Sequence, residues 1–337
     1  MDHNTTRLVQ LIHPIRGRRV ALVQEPRLVL LKQVTSIYGL ALEAITGKTP
    51  LGLLIQSKLS NEVIDYDQIY EGNSDWQLLP AFDHPDGPFG CLVSGTGLTH
   101  QNSALNRQMM HQVTDDKPTD SIRMYQWGVE GGFPLKGVIG TQPEWFYKGN
   151  GSLLRAHGNT LDIPPYANDG GEEPEIAGLY IVDQQGTPRR IGFCTANEFS
   201  DHIMEKKNYL YLAPSKLRQS AIGPELAIDA SFDAFNGTVS VSRKGNTLWS
   251  SPVNSGEKNM AHSLQNLEYH HFKYASHRVP LQAHVHYFGA DAFSFGQGIT
   301  LQDGDVMEVA WKGLGRPLRN PVKIIQNKET MLEVQPM

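Results

Sequence analysis

The spacing of apolar and polar positions along this chain changes character twice, near residue 90 and near residue 178. Residues 18–32 (RRVALVQEPRLVLLK) predict two short strands around the turn-prone Gln24-Glu25-Pro26. From Ser36 to Ile45, apolar Ile37, Leu40, Ala41 and Ala44 recur at helical spacing, and a second helix is predicted from Leu53 to Val63. Pro80, Pro85 and Pro88, with Gly87 and Gly90, then interrupt the pattern and mark a boundary. Residues 1–90 thus read as a small α/β N-terminal domain. From Cys91 to about Gly158 the pattern is irregular; a helix is predicted at Ser103–Val113, and Asp115–Ser121 reads as a loop of the kind that forms lids or plain surface connectors.

Beyond Gly178 strands dominate. They are predicted at Leu179–Val182, Arg190–Thr195, Glu225–Ala230, Thr238–Arg243, Asn246–Pro252, Gln282–Phe288 and Val306–Trp311, with one clear helix from Asn259 to Tyr274. Many short strands between Gly- and Asp-containing turns predict a mostly β core, either a barrel or packed sheets. No internal repeat or low-complexity tract stands out.

Composition narrows the function. The chain has 337 residues, 39% hydrophobic and 19% charged, which suits a folded globular protein of about two domains. A net charge of −5 argues against a nucleic-acid footprint, which needs a basic face. No apolar run approaches the roughly 20 residues of a membrane span, no block of like charge suggests a membrane surface, and the N-terminal stretch lacks the apolar core of a signal peptide. Cys91 and Cys194 form no C-x-x-C pair, so no disulfide framework is indicated. A cytoplasmic protein is expected.

The chemistry gathers around carboxylates. In Glu172-Glu173-Pro174-Glu175, an extended backbone points Glu173 and Glu175 to one side, and Pro174 confines the segment to the start or edge of a strand. Two carboxylates on one spot repel unless a cation or proton lies between them; a solvated acidic turn has the same local pattern. Beyond the strand Ile191–Cys194 comes Glu198, in Thr195-Ala196-Asn197-Glu198-Phe199-Ser200. A third carboxylate there completes an all-oxygen site, which selects Mg²⁺, Mn²⁺ or Ca²⁺ over zinc or copper. Glu198 equally fits a first-turn acid of a helix capped by Asn197. Lys216, in Ser215-Lys216, is positioned to neutralise charge or stabilise an enolate.

Taken in order, E-x-E, a strand, A-N-E-x-S, S-K and Ile222-Gly223-Pro224 resemble the catalytic domain of the fumarylacetoacetate hydrolase superfamily. There E-x-E precedes a strand ending in N-D-x-S, a G-K or S-K lysine and a P-x-G-P turn. The segment Pro143-Glu144-Trp145-Phe146-Tyr147-Lys148-Gly149 resembles that family's F-x-K element. Gly304-Asp305-Val306-Met307-Glu308-Val309, then Gly313-Leu314-Gly315 and Leu318-Arg319-Asn320, resemble its closing signature. The resemblance covers residues 143–322. It implies an α+β protein with a mostly β catalytic domain, a β-roll or barrel, over 91–337, beside the smaller 1–90 domain. It also implies a homodimer or a dimer of dimers. Two departures stand out: Glu198 replaces the usual Asp, and the His-Glu pair that activates water in the hydrolases has no clean counterpart, His100 being nearest.

The stretches Gly95–Ala104, Met124–Gly132 and His286–Gly296 resemble a branch found with sugar-acid catabolism, which includes 2-keto-3-deoxyarabinonate dehydratases. The implied activity is a metal-dependent dehydration of a sugar acid such as a 2-keto-3-deoxy-pentonate, or of a related 2-oxo acid. Glu173, Glu175 and Glu198 hold the metal, Lys216 stabilises charge at the C2 oxygen, Lys148 contacts the substrate carboxylate, and His100 acts as acid or base. Two alternatives are hydrolysis of the carbon–carbon bond of a 2,4-dioxo acid and a non-catalytic sugar-acid-binding protein.

Other motifs carry weaker readings. His284 and His286 form H-x-H on one strand face, which suits a cupin-type metal site and suits a pocket lining or subunit contact better. His270 and His271 point to different sides of a helix. Gly95-Thr96-Gly97 lacks the G-K-[ST] of a phosphate loop, and Ser94 and Ser103 lack the G-x-S-x-G of a nucleophile elbow. Trp127, Trp145, Tyr125, Phe146 and Tyr147 read as core aromatics or pocket walls.

Overall fold

A computed structural model describes residues 5–111 and 119–337. Among the described residues the regular structure is mostly strand, in two sheets with short helices at their margins, a mixed α+β fold. The larger, 12-stranded sheet follows the order Leu59–Asp65, Arg27–Leu31, Gly17–Gln24, Arg7–His13, Ser220–Ala227, Pro188–Asn197, Pro174–Val182, Ala283–Tyr287, Cys91–Gly95 and Phe146–Asn150 along its main path. The smaller has five: Asn246–Ser255, Phe235–Arg243, Val306–Trp311, Leu318–Ile324 and Leu161–Ile163. Neither closes on itself, so of the two expected forms it is packed sheets and not a barrel that is found among the described residues. Arg7–His13 pairs antiparallel with Ser220–Ala227, Leu8 opposite Leu226, so the large sheet is continuous across residue 90.

The strand Pro174–Val182 is the axis of the molecule. All nine of its residues are buried. Alternation sends Ala177, Leu179 and Ile181 into one apolar cluster with Val285 and Tyr287, and Ile176, Tyr180 and Val182 into another with Phe193 and Phe288. Each fully buried Leu or Ile contributes about 1.5–3 kcal/mol of transfer free energy. Burial on both faces lets one strand anchor functional groups toward two interiors.

The N-terminal helix forms as its spacing predicts, over Ile37–Thr46, with Ile37, Leu40, Ala41 and Ala44 buried and Ser36 Oγ accepting from Gly39 N. The second helix is shorter than predicted. It spans Leu51–Ser57, and the rest of the predicted segment joins a strand, Leu59–Asp65, in which Val63 lies opposite Val29. Sheet pairing of the β-branched Val63 and Ile64 outweighs the helical spacing there. The helix predicted from Ser103 is Gln101–His111, and Val113 lies outside the described residues. Of the predicted loop at 115–121, residues 115–118 also lie outside them; Thr119 caps a further helix, Asp120–Gly131. No helix among the described residues is long and apolar enough to cross a membrane.

Candidate active site

Strand register brings three acidic residues together. Pro174 is the first residue of its strand, where its missing N–H costs no ladder bond. Glu175 lies opposite Ala196 and Pro174 opposite Asn197 on the neighbouring strand. Continuing that register puts Glu173 opposite Glu198, and Glu198 N indeed donates to Glu173 O at 3.0 Å. Residues 173, 175 and 198 therefore share one face of the sheet. All three are buried, and one carboxylate oxygen of each lies within 4.8 Å of the others.

Two lysines enter this cluster from distant segments. Lys216, at the end of the short helix Leu212–Lys216, donates from Nζ to Glu173 Oε1 (2.7 Å), Glu198 Oε2 (2.9 Å) and Ser200 Oγ (3.2 Å). Its ammonium also lies 4.9 Å from the centre of the Phe146 ring, a cation–π contact. Lys148, on the edge strand Phe146–Asn150, donates to Glu198 Oε1 (2.7 Å), Phe199 O (2.7 Å) and Lys216 O (3.0 Å). Both ammonium groups are fully buried, and each has its three N–H bonds in use. They hold the longer Glu198 side chain by both oxygens.

Charge compensation is uneven across the cluster. Burial alone disfavours ionised Glu173, but Lys216 and His202 outweigh it and hold the carboxyl well below the usual range. Burial, reinforced by the charges of Glu198 and Glu173, pushes Glu175 well above that range. Among the described residues Glu175 has no cationic partner and no ion pair; its Oε2 accepts from Gly289 N at 2.6 Å. A buried carboxylate beside two others and lacking a counter-ion is a place for one. The oxygen-only donor set fits a hard divalent cation.

The surrounding chain shows why the motif reads as it does. A Cβ on Gly170 would lie 2.3 Å from the Phe199 ring, and one on Gly171 would lie 2.3 Å from His202 Nδ1. The Gly170-Gly171 pair before the acids is thus a close-approach signal, and the one feature by which sequence could have pointed to His202, whose Nε2 lies 3.0 Å from Glu173 Oε1. Glu172 turns away from the cluster and accepts from Ser294 N (2.6 Å) and Ser294 Oγ (2.9 Å). Glu144 and Arg107 form a buried bidentate pair at 2.8 and 3.0 Å beside Tyr209 and Glu205. Nothing in the local sequence marks that pair.

His100 is buried, and its ring bonds to Thr99 Oγ1 (2.9 Å) and Ser255 Oγ (3.3 Å), not to a carboxylate. Burial brings its pKa down to about 4. Its neighbour Thr99 packs on Gly289, where a Cβ would lie 2.1 Å from Thr99 Oγ1. The H-x-H pair is no metal centre in this geometry: His286 bonds to Ser94 Oγ (2.9 Å) and Thr96 Oγ1 (2.8 Å), and among the described residues only the three glutamates form a potential metal-ligand group. Of the aromatics, Phe146 lies beneath Lys216, Trp145 packs on His271 and His277, and Trp127 and Tyr147 are exposed.

The described residues thus form a mixed α+β fold of two open sheets with a buried tri-carboxylate cluster. Compared by sequence, the chain matches no protein-family model and no curated protein. Compared by structure, it matches 2-keto-3-deoxy-D-arabinonate dehydratase in its apo form, with a TM-score of 0.69 at 18% identity, over 95% of this chain and 100% of that one. The same dehydratase complexed with magnesium and 2,5-dioxopentanoate matches with a TM-score of 0.70 at 17% identity, over the same shares. A 5-carboxymethyl-2-hydroxymuconate delta-isomerase from Mycobacterium smegmatis matches with a TM-score of 0.57 at 14% identity, again over 95% and 100%.

Proposed function

We propose that this protein is a fumarylacetoacetate hydrolase superfamily enzyme that dehydrates a 2-keto-3-deoxy sugar acid, with a divalent cation held by Glu173, Glu175 and Glu198. The observation that carries the reading is the Glu175 carboxylate, buried among two others with no cation of its own among the described residues. The fold shared with a dehydratase that takes magnesium and a 2-oxo acid supports the substrate class. Magnesium is the proposed ion, with manganese or calcium as hard-cation equivalents.

When bound, such a cation supplies Lewis-acid polarisation of the C2 oxygen of a 2-oxo acid. The chain's own residues set the stage. Lys216 pairs with Glu173 and Glu198, holds the Glu173 carboxyl well below the usual range and adds positive charge to the cluster. Lys148 fixes Glu198 and the backbone of Lys216; with its three donors engaged, it is assigned to positioning and not to the substrate carboxylate. His100 supports the Gly289 wall through Thr99. In the overall reaction the C3–H and C4–O bonds break, a C3=C4 double bond forms, and the proton and hydroxide leave as water.

The test is a mass-resolved product assay on a panel of 2-keto-3-deoxy acids and 2,4-dioxo acids, with Mg²⁺ and with chelator. The expected product is lighter than its substrate by one water and forms only with metal. Two carbon fragments would replace this reading with hydrolysis, and binding without turnover would make the protein a sugar-acid-binding protein.

A further inference from the structure

We propose that His202 is the positioning residue of the metal site, turning Glu173 so that one chosen oxygen faces the cation. The inference rests on the reading of Glu173, Glu175 and Glu198 as ligands. A carboxylate only accepts, so His202 Nε2 carries the proton in its 3.0 Å bond to Glu173 Oε1. Lys216 Nζ donates to the same oxygen. With both donors on Oε1, Oε2 receives no hydrogen bond among the described residues and is the atom left for a metal.

The ring is held from every side. The carboxylate of Asp201 caps the helix that begins at His202, accepting from Met204 N at 2.8 Å, and pairs with Arg218 at 2.6 Å. Phe293 stacks on the imidazole at 4.9 Å and 22°, and Phe295 lies 5.2 Å from it. Gly171 leaves the space that Nδ1 occupies.

That nitrogen is buried and has no hydrogen-bond partner among the described residues. A phenyl ring would fill the same slot between Gly171 and Phe293 without burying an unpaired polar atom. The slot therefore uses the imidazole for its Nε2–H. A hydrogen bond that orients a ligating side chain is worth about 10–100-fold in metal affinity. The segment that supplies Phe293 also gives Gly289 N to Glu175 and Ser294 to Glu172, so one strap sets three acidic residues of the cluster's strand.

The experiment measures Mn²⁺ binding to the full chain by calorimetry and by the electron paramagnetic resonance of free Mn²⁺, with circular dichroism as a check of folding. His202→Phe keeps the packing and removes the donor; Mn²⁺ affinity is expected to fall about 10–100-fold. His202→Gln, which offers an amide N–H in reach, is expected to recover part of that loss. Gly171→Ala displaces the ring without removing any polar group. Its backbone is not left-handed, so only the imidazole opposes the new methyl group, and a similar loss is expected. If His202→Phe binds Mn²⁺ as wild type does, the inference fails while the metal site stands. If wild type itself binds no Mn²⁺, the ligand reading fails and this one with it. Should His202→Phe not fold, the contrast between Gln and Gly171→Ala decides: equal affinity to wild type in both overturns the proposal.

Discussion

Two polar clusters are buried on opposite faces of the large sheet around the strand Pro174–Val182, and they meet the cost of burial in opposite ways. On one face of Pro174–Val182 two of the acids, Glu173 and Glu198, pair with ammonium groups from Lys148 and Lys216. On the other face His284 and His286 form a ring cluster with His271 and His277. Burial pushes His271 well below its usual range, and His284 and His286 down to about 3. Trp145 Nε1–H donates to His271 Nδ1 (3.2 Å), so His271 carries its proton on Nε2 and gives it to His284 Nδ1 (3.1 Å). The chain ends in an N–H at His284 Nε2, where a metal would need a lone pair. The difference teaches what a cation could use: not the count of ligand-type residues, but a buried carboxyl with free lone pairs and, among the described residues, no ion-pair partner, which Glu175 has and His284 lacks.

The comparison breaks most sharply at Lys216. Lys216→Met strips the ammonium from Glu173 and Glu198 and leaves a buried, unbalanced charge; a loss of about 3–5 kcal/mol in urea unfolding is expected without metal. A smaller loss would mean that the acids are not ionised together.

Next comes Glu175→Gln. Turnover is expected to fall about 100–1000-fold, while the metal-free protein melts higher than wild type because the uncompensated carboxyl is gone. The melting rise that Mg²⁺ gives wild type, set by RT ln(1 + [L]/Kd), should vanish in the variant. If the variant melts lower without metal, Glu175 has a partner that the geometry does not show.

Acid should act on the histidine face. The folded-state pKa values of His284 and His286, about 3, lie below the unfolded value near 6.5, so between these limits the unfolded chain binds more protons. Their stabilisation is complete above about pH 6.5 and is lost as pH falls toward 3, at about 1.4 kcal/mol per pH unit for each ring. Urea midpoints from pH 7 to 5 check this, and His286→Asn should flatten the slope.

The smallest effect is expected from Trp145→Phe, which removes one donor from the histidine relay. About 1 kcal/mol of stability should go, with metal-dependent turnover unchanged apart from that loss. A large drop in kcat would join the two clusters into one machine and end the contrast.

Reading the chain alone reached the three acids through the order of motifs that resembles a known family, with a period of two and a proline at a strand start putting Glu173 and Glu175 on one side. It reached strands such as Val306–Trp311 because alternating burial leaves a visible pattern. It did not reach Arg7–His13, where four consecutive buried residues hide the alternation. Nor did it reach the strand Leu59–Asp65, whose partner across the sheet decided its form.

Sequence by itself thus determined the residue types of the site, their order and the face they share, because backbone geometry carries that information over a few residues. Only the tertiary structure decided that Lys148 serves Glu198, that His202 meets Glu173, that Glu175 stands without a cation among the described residues and that His286 is locked between two hydroxyls. Those facts depend on side chains tens of residues apart arriving within 3 Å, and hydrogen bonds fall away too steeply with distance and angle for any local pattern to specify them.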